Sequence, residues 1–405
     1  MRLFAGYSPV LWALALFFLG LGFTARVDLP LAILAITAAL AFGESQRQPL
    51  LPLLKEHWAL LFFLLVAIVT TGMSVDWRHS VRVQPQLLPA LLCYAVIVTF
   101  VTSLTSLRFV YTALLVSGLL TACLMLLGVS RMTADDPLAK VKLLGNALLI
   151  VPNDVLMLSV IAPLTLALAW CGNRWVRVLV AVYLLLALIT GAMLESRQAV
   201  IIWVVGVVAV VAIMRPRWAI PVLLVGAGAG LLLDGLLGWP LAHKIFMFPR
   251  SYVWHTAWVM FLDRPWSGQG PGMFKDLYLP FLAKAGYVLA ELGDHRMMPW
   301  AHSLYLEQLA ERGVVGLLAL LCLLGTAVVQ SIKAVGMALA PEERSLAAGI
   351  VAALLALIIS GIAEATLSRL WVTVLVLTLV AMSLRLEGCT KLGRASQIFC
   401  GGVLK

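Results

Sequence analysis

Twelve apolar stretches recur along the chain, near residues 9–24, 27–42, 58–75, 87–103, 109–129, 153–171, 176–194, 199–214, 219–234, 313–331, 346–363 and 369–386. No other feature constrains the fold so strongly. The run VLVAVYLLLALITGAML, from Val178 to Leu194, has no alternation of apolar and polar residues. It therefore cannot be a strand of a closed membrane barrel. Backbone amides and carbonyls inside lipid must be paired within the protein, which leaves the helix as the form of each run. Composition agrees: 62% of residues are apolar and 12% charged, against roughly 45–50% and about 25% in soluble chains. A compact water-soluble domain of 405 residues could not hide so much apolar surface. The predicted class is an all-α polytopic membrane protein of about twelve transmembrane helices. Several runs are short for a span of about 20 residues.

The first run, Val10 to Phe23, follows a single Arg and precedes no small-residue cleavage site. It reads as a retained helix rather than a removed signal. An even number of spans puts both ends on one side. That side then holds Arg2, Arg47, Lys55, Arg108, Arg174, Arg177, Arg215, Arg217, Lys333, Arg344, Arg385, Lys391, Arg394 and Lys405. The short loops of the other side hold only Arg26, Arg78, Arg82, Arg131, Lys140, Lys142, Arg197 and Arg369. The bias makes the first side cytoplasmic. Three parts follow: a bundle of about nine spans over 1–234, a long outer loop over 235–312, and about three more spans with a short cytoplasmic tail over 313–405. The outer loop is rich in Trp, Phe, Tyr, Leu and Met, which predicts short helices lying against the mouth of the bundle. Segment 130–152 reads as a polar linker.

The net charge of +10 points to phosphate-bearing partners and anionic membrane lipid rather than nucleic acid. None of the six cysteines has CxxC spacing, so neither a disulfide framework nor a zinc site is expected. The sequence contains no GxxxxGK[ST] loop and no GxGxxG in a βαβ setting. No HExxH or DxD motif stands in the outer loop, so no metal and no cofactor is predicted.

Three outer-side clusters can carry chemistry. Glu195-Ser196-Arg197-Gln198 links two apolar runs and is too short to leave the membrane surface. Arg197 is either an interfacial anchor reaching for headgroups or an anion clamp, since its planar fork can donate two parallel hydrogen bonds to phosphate. The second cluster is Asp263-Arg264-Pro-Trp-Ser-Gly268-Gln-Gly270-Pro-Gly272-Met-Phe274. Its glycines and prolines fix a tight course, and the exposed amides of such a turn can cradle a phosphate. The third runs from Gly293 through His295, Arg296, Pro299, His302, Tyr305, Glu307 and Glu311 to Gly313. A helix is predicted to start near Ala301 or His302 and to break at Gly313. A histidine at a helix N-terminus is favoured neutral and can then accept a proton as a general base. His295 is the rival base. Glu307 and Glu311, one turn apart, could orient His302, counter the arginines, or be solvated surface groups.

Together Arg264–Phe274, His302-Ser-Leu-Tyr-Leu-Glu307 and Glu311-Arg-Gly313 resemble the hallmark of the O-antigen ligase and polymerase superfamily. The hallmark covers roughly 50 residues, and the layout of spans extends the likeness along the chain. What the resemblance implies is a GT-C-type glycosyltransferase of the bacterial inner membrane with its active site facing the periplasm. Its donor would be a glycan on undecaprenyl pyrophosphate and, for a ligase, its acceptor a sugar of the lipid A core. On this likeness His302, Arg197 and Arg264 are the catalytic set. Arg296, His295, Gly268, Gly270, Gly272, Tyr305, Glu307 and Glu195 would form the substrate site of a monomer. The short tail is unlike the protein O-oligosaccharyltransferases of the superfamily, and the 405-residue length with the loop's basic residues Lys244, Arg250, Lys275, Lys284 and Arg296 resembles a ligase more than a polymerase. A transporter of lipid-linked glycan is the alternative from another class.

Overall fold

The computed structural model describes residues 8–21, 28–44, 56–129, 141–143, 148–150, 152–194, 196–236, 250–292 and 297–401. Each of the twelve apolar runs coincides with a helix: α1 (Pro9–Leu21), α2 (Asp28–Glu44), α3 (Trp58–Gly72), α5 (Leu88–Phe100), α6 (Leu104–Val129), α7 (Leu156–Cys171), α8 (Arg174–Met193), α9 (Arg197–Met214), α10 (Ala219–Leu236), α13 (Leu304–Met337), α14 (Pro341–Ser360) and α15 (Leu370–Gly401). Between them lie α4 (Trp77–Val83), which runs through a 3-10 turn (Gln84–Leu87) into α5, and the short helices α11 (Ser251–Asp263) and α12 (Met273–Lys284). Within the predicted polar linker, Val141–Leu143 (β1) and Leu148–Ile150 (β2) form a small antiparallel pair, with Val141 opposite Ile150.

The protein is an all-α polytopic membrane protein, but the span count is corrected. Among the described residues, seven helices are long and apolar enough to cross a membrane, not twelve. Four others, Pro9–Leu21, Leu29–Ala41, Trp58–Gly72 and Leu156–Cys171, are apolar but shorter. At 1.5 Å per residue they fall short of a hydrocarbon core about 30 Å thick. Their apolarity also answers to packing inside the protein. Phe17 and Phe18 of α1 and Leu158 of α7 are fully buried.

The central helices approach closely. α14 runs through the middle against α7 and α9, and a Cβ on Gly349 would stand 2.7 Å from the Ala167 methyl. Without a hydrophobic drive between helices in lipid, such close packing and buried hydroxyl bonds carry the association. Ser345 Oγ donates to the Ala167 carbonyl at 2.7 Å, Tyr111 to that of Leu346 at 2.6 Å and Tyr183 to that of Leu158 at 2.7 Å.

These contacts also fix the ends of the bundle. Arg108 pairs with Glu342 at the start of α14, and Arg344 donates to the Ile213 carbonyl at the end of α9. α9 therefore runs antiparallel to α14. Arg108, Arg215 and Arg344 gather at one end. Arg197, the end of α14 and the start of α15 lie at the other, roughly 24 Å away along either helix.

Candidate functional site

The site is assembled at the end where α14 finishes and α13 and α15 begin. Its first component is the glycine-rich turn after α11. The Gln269 and Gly270 amides donate to the carbonyls of Ala310 and Glu311 at 2.9 and 2.8 Å, and Val314 N–H donates to the Pro265 carbonyl at 2.8 Å. The predicted break in the late helix is present: α13 is kinked at Gly313, with φ 64° and ψ −167°. Gly268 and Gly313 are where the two backbones meet. A Cβ on Gly268 would lie 2.3 Å from the Glu311 carbonyl carbon, and one on Gly313 2.3 Å from that of Trp266. On its far side the turn is pinned by the α3–α4 connection. Val75 N–H donates to the Gln269 carbonyl at 2.9 Å, and buried Ser80 donates to that of Pro271 at 2.8 Å.

At the end of the turn the amides are occupied by a side chain of the protein itself. The amides of Gly272 and Phe274 donate to the buried carboxylate of Glu311, the latter at 3.2 Å. Gly268 and Gly270 spend their amides on the carbonyls of Arg264 and Glu311. The three glycines thus join two segments of the protein, at positions where only the absence of a Cβ allows contact.

Arg264 caps the end of α11, is exposed, and donates from Nη1 to the Met73 carbonyl at 3.2 Å. Its neighbour Asp263 pairs with Lys284 at 2.5 Å. The hydrogen bonds from Lys284 and Gln269 hold the Asp263 carboxyl below its usual range.

The second component is the connection between α14 and α15, residues 361–369. Leu304 N–H donates to the Gly361 carbonyl at 2.7 Å, which ties the start of α13 to this connection. The helix begins slightly later than predicted, at Leu304, with Ser303 as N-cap. His302 lies just outside it, 9% exposed, with a left-handed backbone at φ 51°. A non-glycine residue held there is unusual and costs energy. The His302 ring stacks edge-on against Trp300, with centroids 5.9 Å apart.

The acid beside His302 is neither of the two predicted from sequence. Glu364 Oε1 stands 3.4 Å from His302 Nδ1. Glu307 is instead fully engaged. It accepts from Thr366 Oγ1, from Ser368 Oγ at 2.7 Å and from Ala301 N–H at 3.3 Å. Its role is to bind the start of α13 to the 361–369 connection. Tyr305 similarly donates to the Ile358 carbonyl in α14 at 2.6 Å.

Glu364 is the hub of a buried charge network. Arg250 Nη1 lies 2.6 Å from its Oε2, and Arg369 Nη2 3.0 Å from its Oε1. Arg369 also reaches Asp154 Oδ1 at 3.1 Å, and its guanidinium stacks 4.9 Å from the Trp300 ring. Trp371 Nε1 donates to the same Asp154 oxygen at 3.0 Å. Burial pushes the Glu364 carboxyl up. The His302 hydrogen bond and the charges of Arg250 and Arg369 outweigh it and hold the group below its usual range. For Asp154, burial wins over Arg369 and the carboxyl is raised.

Arg197 is the first residue of α9, half-buried, behind Ser196 as N-cap. It lies at the same end of the bundle as this network. Glu195, His295, Arg296 and Lys244 fall outside the described residues. Among the described residues, no group of three or more His, Cys, Asp or Glu is placed to hold a metal ion. Sequence reasoning missed Glu364, Arg369 and Asp154 as site residues. The available signal was the polar string Glu364-Ala-Thr-Leu-Ser-Arg369 between two apolar runs, with Asp154 opening another.

Beside the site, α3, α4, the 3-10 turn and α5 enclose an open apolar groove of about 890 Å³, lined by Leu64, Ile68, Trp77, Val81 and Leu88 among others. Gln84 is its polar wall and donates to Thr71 Oγ1 at 2.6 Å. The same Gln84 faces a void of about 30 Å³ beside Glu307, Glu311 and Arg312.

No protein-family model matches this chain, and no curated protein sequence matches it.

Proposed function

We propose that this protein is a glycosyltransferase that joins a glycan carried on undecaprenyl pyrophosphate to a sugar of the lipid A core. That is the reaction of an O-antigen ligase. In this reading the bundle lies in the bacterial inner membrane in a GT-C-type arrangement, with the seven long apolar helices as its spans. The site faces the periplasm. The observation that carries the reading is a buried histidine, His302, held in a left-handed backbone at one end of a membrane bundle, within a network rich in arginine. The neighbouring apolar groove supports it, because a polyprenyl chain needs an apolar path that opens sideways to lipid.

Diphosphate is already a competent leaving group, so the protein has three tasks. His302 takes the proton of the acceptor hydroxyl as its oxygen attacks the anomeric carbon. The bond from that carbon to the diphosphate oxygen breaks, and the electron pair leaves with the diphosphate. Arg197 and Arg264 stabilise the growing negative charge from fixed positions, without a metal or cofactor. One direct displacement inverts the anomeric centre, since among the described residues the carboxylates beside His302, Glu364 and Glu307, are held by arginines and hydroxyls rather than presented as a nucleophile for a covalent path. The protein acts as a monomer on two lipid-borne substrates.

Deleting the gene tests the assignment by the glycolipids that remain. The ligase reading expects full-length lipid-linked glycan left unattached and bare core-lipid A. Core-lipid A carrying one repeat would show attachment intact and make the protein the polymerase. Lipid-linked glycan trapped on the cytoplasmic face would make it a transporter.

A further inference from the structure

The base that the proposed reaction needs has two ring nitrogens, and only one can accept the acceptor's proton. In the neutral ring one nitrogen carries hydrogen and the other a lone pair, and the partner of the first decides which. The geometry points to Glu364 as the positioning residue that holds His302 as the Nδ1–H tautomer and so leaves Nε2 as the base. This inference rests on the glycosyltransferase reading for the purpose of the base, but the tautomer itself is independent of it.

Three observations carry it. Glu364 Oε1 is 3.4 Å from His302 Nδ1, and both side chains are buried. A carboxylate only accepts, so the hydrogen between them must sit on Nδ1. Second, Glu364 cannot swing away. Arg250 grips Oε2 at 2.6 Å, Arg369 grips Oε1 at 3.0 Å, and Arg369 is anchored in turn by Asp154 at 3.1 Å. Third, the competing acid is occupied elsewhere: Glu307 accepts from Thr366, Ser368 and Ala301. The charged groups facing Glu364 are thus Arg250 from the α11 side, His302 from the start of α13 and Arg369 from the start of α15, with Asp154 behind Arg369. As the acceptor hydroxyl loses its proton to Nε2, the ring becomes imidazolium. Its Nδ1–H then points at a fixed negative charge, and the two arginines keep that carboxylate ionised and oriented. Arg250 directly precedes α11, so the same grip ties that short helix to the base.

Nitrogen-15 spectra of histidine-labelled protein in detergent read the tautomer without any substrate, with the His302 signals identified by their loss in H302A. Wild type should show Nδ1 protonated and Nε2 bare near neutral pH. E364Q should convert His302 to the other tautomer or to a mixture, because the Gln amide can donate to Nδ1. E364D, which keeps an acceptor, should retain the wild-type pattern in part. With substrates, E364Q should lower kcat by about 10²-fold or more with little change in KM. A His302 tautomer that is the same in wild type, E364D and E364Q overturns the assignment. If wild-type His302 shows the Nδ1–H tautomer and E364Q abolishes it, yet wild type transfers no glycan, the positioning stands and the glycosyltransferase reading falls.

Discussion

Replacing Gly313 by Ala tests the junction on which the whole site is built. Gly313 sits at φ 64° and ψ −167° inside α13, a region that side chains rarely enter. Holding a non-glycine residue there costs about 1–3 kcal/mol. The new methyl would also lie 2.3 Å from the Trp266 carbonyl carbon and oxygen, so the 265–270 turn must move. Moving it breaks the bonds from Gln269, Gly270 and Val314 at 2.8–2.9 Å, each worth about 1 kcal/mol net. The sum is roughly 4–6 kcal/mol, which raises the open population of this junction about 10³–10⁴-fold. Hydrogen–deuterium exchange of purified protein should show lost protection at residues 269–270 and 314, while α14 stays protected. Gly325, in the same helix with nothing within 4 Å of an added Cβ, is the control. G325A should be neutral or stabilising by up to about 1 kcal/mol. Unchanged protection at 269–270 in G313A would refute the reasoning.

Further outcomes follow from the same contacts. R369M should destabilise by about 3–5 kcal/mol because it removes the counter-charge of buried Asp154 and one of the two arginines on Glu364, and adding D154L should recover part of the loss in thermal unfolding. S80A removes the donor to the Pro271 carbonyl in a fully buried position and should cost about 1–3 kcal/mol by the same assay. Because the Glu364 carboxyl is held below its ordinary value near 4.5, its stabilising contribution is complete above that pH and is lost as pH falls further. E364Q should therefore flatten the acid limb of the unfolding midpoint below about pH 4.5. R197K and R264K keep the charge but lose the fork, so both should impair transfer, with Ala worse than Lys. EDTA should leave transfer intact, and a strong loss restored by Mg²⁺ would place the charge stabilisation on other groups.

The helices were legible because lipid-compatible apolarity is a local property, written in consecutive residues. The number of spans was not, because a run such as Pro9–Leu21 can be apolar for the sake of the protein core. Phe17 and Phe18 there are fully buried. The kink at Gly313 and the turn at Gly268–Gly272 could be read from glycine and proline spacing, though not the fact that they grip each other. The histidine could be found from its place beside Pro299 at a helix start. Its acid could not. Glu307 looked nearest by helical spacing, but the helix begins only at Leu304, and Thr366 and Ser368 take that carboxylate. Glu364 comes from the other end of the next membrane helix. Its support from Asp154 through Arg369 joins residues 215 positions apart, a link that only the packing of α7, α14 and α15 creates.

Purified protein in nanodiscs, given undecaprenyl-pyrophosphate-linked glycan and a lipid A-core acceptor, measures the central claim in one assay, with H302A beside the wild type. The account predicts a joined glycolipid and released diphosphate lipid from the wild type. H302A should bind donor normally yet turn over about 10²–10⁴-fold more slowly. Near-normal turnover by H302A would remove the base, and no joined product from a donor-binding wild type would contradict the enzyme itself.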